Sequence, residues 1–160
     1  MGKQFEEIKR FLIDIFPKLA EDEHFEITSN PTPNYNCIAW ACIYNDRWIQ
    51  PTYLGKPNLD CVVWWPPDVE EGVEPKNLKE LFEFHGYQEC GDSQNEEGFR
   101  KVALYLDEKT NEWTHASREL RNGFWTSKLG QSYDIQHGTP ETIENDTYGK
   151  VYCIMKKKLD

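Results

Sequence analysis

Among five cysteines and four histidines, one of each stands where its chemistry is available. Cys37 follows Asn36 at the head of the apolar run Asn-Cys-Ile-Ala-Trp-Ala-Cys-Ile, and Asn34 or Asn36 is expected to cap a helix there. With Asn36 as the cap, Cys37 occupies the first turn, where the dipole and free backbone amides favour a thiolate. Its own amide can also join an oxyanion hole. His115 lies mid-strand in Trp-Thr-His-Ala-Ser, so a sheet packed on that helix can bring an imidazole to the thiol as general base. A plainer reading stands beside this one. Free cysteine is among the most buried residue types, and a strand histidine is commonly a satisfied core group.

The elements that must position this pair are readable from hydrophobic spacing. Phe5, Ile8, Leu12, Ile15 and Leu19 recur at steps of three and four, which predicts a helix over 3–20 that Pro17 bends or ends. Two prolines and two asparagines at 30–34 make a loop, and the cysteine helix follows over 35–44. A long aromatic loop is expected over 45–74 around Trp64 and Trp65. Pro75 then opens a helix over 75–85, with Leu78, Leu81 and Phe82 as its stripe and Gly86 as its stop. From 99 to 155 the pattern alternates as strands, at 101–108, 112–120, 124–129 and 148–155. Asn122-Gly123 signals a two-residue hairpin. Helices first and an antiparallel sheet second define an α+β class rather than alternating βαβ. The 160 residues fit one domain, 1–160, which at this length buries roughly two thirds of its unfolded surface.

The segment Tyr35-Asn36-Cys37-Ile38-Ala39-Trp40, followed by His115 on a strand, a tight turn and a second polar strand, resembles the papain-like superfamily, most closely its NlpC-type branch. The chain is also similar to an uncharacterised, mainly bacterial domain family with the segments Tyr-Asn-Cys-Ile-Ala-Trp-Ala, Thr-His-Ala-Ser-Arg and Trp-Thr-Ser-Lys-Leu-Gly. The papain-like resemblance implies a cysteine-bearing helix packed on an antiparallel sheet that carries the histidine. Cys37 would be the nucleophile and His115 the base, and Ser127 has the spacing of the residue that orients the imidazole. A strict two-residue turn, however, pairs position 115 with 130, which puts Thr126 and Lys128 on the His115 face and turns Ser127 away. A bulge or longer loop reverses this. His137 and Asp134, expected just beyond the strand, are chemically better orienters, and His137 ranks with Ser127. The chain has Asn36 where the branch has Asp and Ile38-Ala39 where it has Ser-Gly. These departures point away from cell-wall peptides and toward a cytosolic peptide, isopeptide or amide bond. The expected activity is a cysteine hydrolase or acyltransferase, with a non-catalytic binding module and a structural Cys37 as the alternative.

Other residues offer binding surfaces. Trp64-Trp65-Pro66-Pro67 can wall a substrate groove or plug a loop onto the core. Asn34 and Tyr35 can line an oxyanion hole or only staple the helix. Arg118 and Lys128 can hold a substrate carboxylate or form a solvent-facing cross-strand pair. His85 reads as a helix cap favoured by the dipole.

Composition narrows the classes. With 18 basic against 28 acidic residues the net charge is −10, so neither nucleic acid nor an anionic lipid surface is an expected partner. Hydrophobic residues at 38% and aromatics at 14% exclude a disordered chain. Lys9, Arg10 and Asp14 interrupt any apolar leader near the start, so a cytoplasmic location is expected. The cysteines lack zinc or disulfide spacing, no phosphate loop or serine elbow occurs, and no cofactor or metal is called for. Oligomeric state is left open.

Overall fold

The computed structural model describes residues 2–57 and 60–160. Its centre is a seven-stranded antiparallel sheet in the order β1-β8-β7-β6-β5-β9-β4. The strands are β1 (Glu26–Ile27), β4 (Gln88–Cys90), β5 (Phe99–Asp107), β6 (Glu112–Glu119), β7 (Trp125–Lys128), β8 (Asp134–His137) and β9 (Lys150–Lys158). Three α-helices accompany them, α1 (Gly2–Ile15), α2 (Cys37–Ala41) and α3 (Pro75–Phe84). The architecture is α+β.

Side chains alternate across the sheet, and the two faces bury different helices. On β5, Val102 and Leu104 join Ile38, Ala39, Leu78, Leu81 and Phe82 in a core under α2 and α3. Ala103 and Tyr105 point the other way, into a core with Leu12, Phe16 and Leu19 from the N-terminal segment. Neighbouring residues of β6 therefore serve opposite cores.

Several expected boundaries are corrected. The helix expected over 3–20 stops at Ile15, and Pro17–Glu21 follows as a 3-10 turn, because proline has no N–H to continue the α ladder. The helix expected over 35–44 keeps only five residues; Ile43 takes φ 68°, which ends it. The loop expected over 45–74 contains a small parallel ribbon, β2 (Trp48–Ile49) on β3 (Val63–Trp64), and a 3-10 turn at Thr52–Leu54; its positions 58 and 59 lie outside the described residues. The last strand starts at Lys150 rather than 148. Asp134 and His137, placed beyond the strands by the sequence pattern, form a strand of their own, and β1 and β4 extend the sheet outside 99–155.

The hairpin between β6 and β7 is the correction with consequences for the site. Leu120 N–H donates to Phe124 at 2.7 Å and Gly123 N–H to Leu120 at 3.0 Å, so Arg121, Asn122 and Gly123 form a three-residue loop. Asn122 Oδ1 accepts the Phe124 N–H at 2.9 Å, and Gly123 takes φ 87°, the left-handed residue such loops need. The register becomes Arg118↔Thr126 and Glu119↔Trp125. One extra loop residue reverses the parity of β7, so Ser127 shares the His115 face and Lys128 faces α2.

Candidate active site

Asn36 builds the cysteine's surroundings. Its Oδ1 accepts the N–H groups of Ala39 at 3.0 Å and Ile49 at 3.1 Å, and its Nδ2 donates to the Ile49 carbonyl at 2.9 Å. One buried side chain thus caps α2 and ties it to β2. Cys37 begins the helix and keeps part of its surface exposed. The backbone N–H of Ala116 on β6 lies near its thiol, which is also within the field of Lys128. Both favour the thiolate, but burial outweighs them and pushes the thiol up to about 11. The contact occupies a break in the sheet: two residues past the Arg118↔Thr126 rung, where Ala116 and Lys128 would face each other, β6 and β7 are no longer paired.

His115, the next residue, is fully buried and belongs to the other face. It sits opposite Tyr105, whose ring meets its imidazole edge-on with centroids 5.1 Å apart. No hydrogen bond joins His115 to Cys37 among the described residues; the register turns the imidazole away from α2. Instead a polar chain crosses three strands. His115 Nε2 lies 3.1 Å from Ser127 Oγ, which lies 2.8 Å from His137 Nε2, and His137 Nδ1 lies 2.8 Å from the Thr139 carbonyl. Ser127 and His137, ranked together as third members, both take part.

The chain fixes the tautomers. A carbonyl only accepts, so His137 carries its proton on Nδ1. Burial pushes His137 down to about 4, so the ring is neutral at pH 7 and its Nε2 accepts the Ser127 hydroxyl. Ser127 Oγ then accepts the Nε2 proton of His115, whose pKa burial also holds well below the ordinary value. The remaining lone pair of His115 is on Nδ1, an atom that is buried and has no hydrogen-bond partner among the described residues.

On the α2 face a different set assembles. Tyr35 donates its hydroxyl to Asp134 Oδ2 at 2.6 Å; burial, and after it this bond, push the phenol up to about 12. Asp134 therefore holds Tyr35, not an imidazole, which corrects its expected role. Lys128 is fully buried, donates to the Ser132 carbonyl and stands 5.1 Å from the Tyr35 ring centroid. It is neither a solvent-facing partner of Arg118, which lies opposite Thr126, nor an exposed carboxylate hook. Asn34 is exposed and, with Tyr35, lines a surface groove bounded by Trp40, Thr126 and Asp134.

The tryptophan pair does not wall that groove. Trp65 is buried and stacks on Trp113 with centroids 6.3 Å apart, which makes it a plug of the core. Trp64 packs against Tyr44, Phe84 and His85. His85 caps α3, with Nδ1 2.9 Å from the Leu81 carbonyl, but burial lowers its pKa, which corrects the reading of a cationic cap. Among the described residues no group of three or more His, Cys, Asp or Glu side chains could hold a metal ion, and no helix is long and apolar enough to cross a membrane.

Sequence reasoning missed Tyr148, whose ring lies flat on His115. It is separated from the histidine in sequence by two strands, β7 and β8, and carries no motif.

The class these observations define is an α+β domain whose antiparallel sheet holds a buried histidine–serine–histidine chain beside a capped cysteine. The chain belongs to the family described as Domain of unknown function (DUF7689), whose model matches residues 26–156. No curated protein matches it, and no solved structure does.

Proposed function

We propose that this domain is a cysteine hydrolase or acyltransferase of papain-like, NlpC-type architecture that acts on a peptide, isopeptide or amide bond in the cytoplasm. The observation that carries this reading is the free Nδ1 lone pair of His115. Its orientation and tautomer are imposed by Ser127 and His137, and the next residue's N–H lies near the Cys37 thiol. A neutral imidazole with one nitrogen anchored and a lone pair on the other is the form in which a histidine accepts a proton as general base.

Both partners are neutral at rest, so proton transfer accompanies attack. Sγ of Cys37 bonds to the substrate carbonyl carbon while its proton passes to His115 Nδ1. The C–N bond breaks as that proton moves to the leaving amine. Water then adds to the thioester and returns a proton to the thiol; an amine in its place completes a transfer instead.

A second reading has its own observation. The imidazole faces the core opposite α2 and the thiol is pushed up to about 11, which favours a binding module with a structural Cys37. A simple acyl donor separates the two. With p-nitrophenyl acetate, the enzyme reading expects a thioester on Cys37, found by peptide mass spectrometry, that turns over and slows about a hundredfold or more in His115→Ala. Acetylation no faster than that of a free thiol, or indifferent to His115, establishes the binding module.

A further inference from the structure

The sheet face that packs against α2 and α3 ends in uncompensated positive charge. Two residues beyond the Val102↔Met155 rung, Arg100 on β5 stands directly opposite Lys157 on β9. Arg118 on β6 lies opposite Val102, which makes it the diagonal neighbour of Arg100 on the same face. Like charges set opposite each other repel, and diagonal positions are within reach of long side chains. All three residues keep part of their surface exposed. Their charges converge at the end of α2: burial pushes the Cys42 thiol up, and Lys157, Arg118 and Arg100 together draw it back.

None of the three forms an ion pair among the described residues. On the same two strands Lys101 is held by Asp92 and Glu96, and Lys156 by Glu96, in a chain with 28 acidic residues. Asp134 acts on Arg118 only through space and is held by Tyr35. The donors are unspent as well. Arg100 Nε donates to the Tyr87 hydroxyl at 3.0 Å and Arg118 Nε to the Trp40 carbonyl at 3.2 Å. The guanidinium of Arg118 lies 5.1 Å from the Trp40 ring centroid, and Lys157 Nζ lies 5.9 Å from that of Tyr87. These contacts orient the side chains but use one N–H of each arginine, and a guanidinium has five.

The charges select the ligand. A cation is repelled, and a neutral group leaves the repulsion in place. A carboxylate offsets one charge of three. A phosphate group carries about 1.5–2 negative charges at pH 7 and three acceptor oxygens, and guanidinium forks suit it.

We propose that Arg100, Arg118 and Lys157 form a binding site for a phosphate group, presented as the free ion or on a small monoester. The site goes beyond the Cys37 reaction and does not depend on it.

Inorganic phosphate, titrated into the full chain with sodium chloride holding the ionic strength constant, tests this by NMR of the Arg100 and Arg118 Nε–H resonances. Saturable shifts are expected, with a dissociation constant at least tenfold below that of acetate. Lys157→Glu puts a carboxylate opposite Arg100, in the place of the anion, and is expected to weaken phosphate binding at least tenfold. Shifts that do not saturate, that acetate reproduces at the same concentrations, or that persist unchanged in Lys157→Glu overturn the proposal. Should that variant fail to fold, Lys157→Gln and the phosphate-to-acetate ratio on the native chain decide. Phenyl phosphate binding more tightly than inorganic phosphate assigns the group to a monoester, and equal or weaker binding assigns it to the free ion. Cys37→Ala is expected to bind phosphate as the native chain does, so an inert thiol would remove the enzyme reading and leave this site standing.

Discussion

The imidazole of His115 lies face to face with the phenol ring of Tyr148, centroids 4.1 Å apart and planes within 11°. Tyr105 closes its edge. These two rings, from β5 and from the turn before β9, seal the histidine from water and hold its pKa down.

Replacing that lid should therefore titrate the histidine. Tyr148→Ala is expected to raise the His115 pKa toward the ordinary value of about 6.5 and to cost about 3–4 kcal/mol through the cavity it leaves. Tyr148→Phe, which keeps the ring, should leave the histidine unprotonated at pH 6. Imidazole nitrogen shifts measured by NMR against pH check both; a pKa unchanged by Tyr148→Ala contradicts the sealing role.

Acid should unfold the protein by way of the histidine chain. His137 is lowered to about 4 in the folded state from about 6.5 in an unfolded chain. Between these values the unfolded state binds more protons, so stability is present in full above pH 6.5 and is lost as pH falls toward 4. The shift corresponds to about 3 kcal/mol, and His115 contributes in the same direction. Urea midpoints measured from pH 7 to pH 4 should fall steeply, and the fall should flatten in His137→Gln. An equally steep fall in that variant would assign the acid sensitivity to other groups.

Asn36 should matter more than a surface cap. Asn36→Ala removes one acceptor serving two N–H groups and a donor to the Ile49 carbonyl, all buried, with an expected cost of about 2–4 kcal/mol. Asn36→Asp keeps the acceptor but strands the carbonyl and should fall between. Chemical denaturation of the three proteins gives the order.

Much of the frame was legible because burial writes itself as period. The stripes of Leu12 and Leu19, and of Leu78, Leu81 and Phe82, and the alternation along β5 all mark the faces that the two cores cover. The Asn36 cap was legible for the same local reason. What could not be read was parity across a turn. Asn-Gly suits a two-residue loop, but Arg121 joins it, and that single residue exchanges the faces of Ser127 and Lys128. Burial of a lysine on a carbonyl, or a tyrosine laid on a distant histidine, depends on contacts far apart in sequence and has no local signature. Strands of two or three residues, such as β1 and β4, are too short to show a period.

Those two short strands are also the sheet's outer rims. β1 offers two residues and β4 three, and Glu26, Gln88 and Glu89 stand exposed along them. The long apolar strand β5 is paired along its length with β6 on one side and β9 on the other, so it offers no free edge to a strand from another molecule. A domain this rich in aromatics is thereby shielded from edge-to-edge aggregation by the brevity and polarity of its margins.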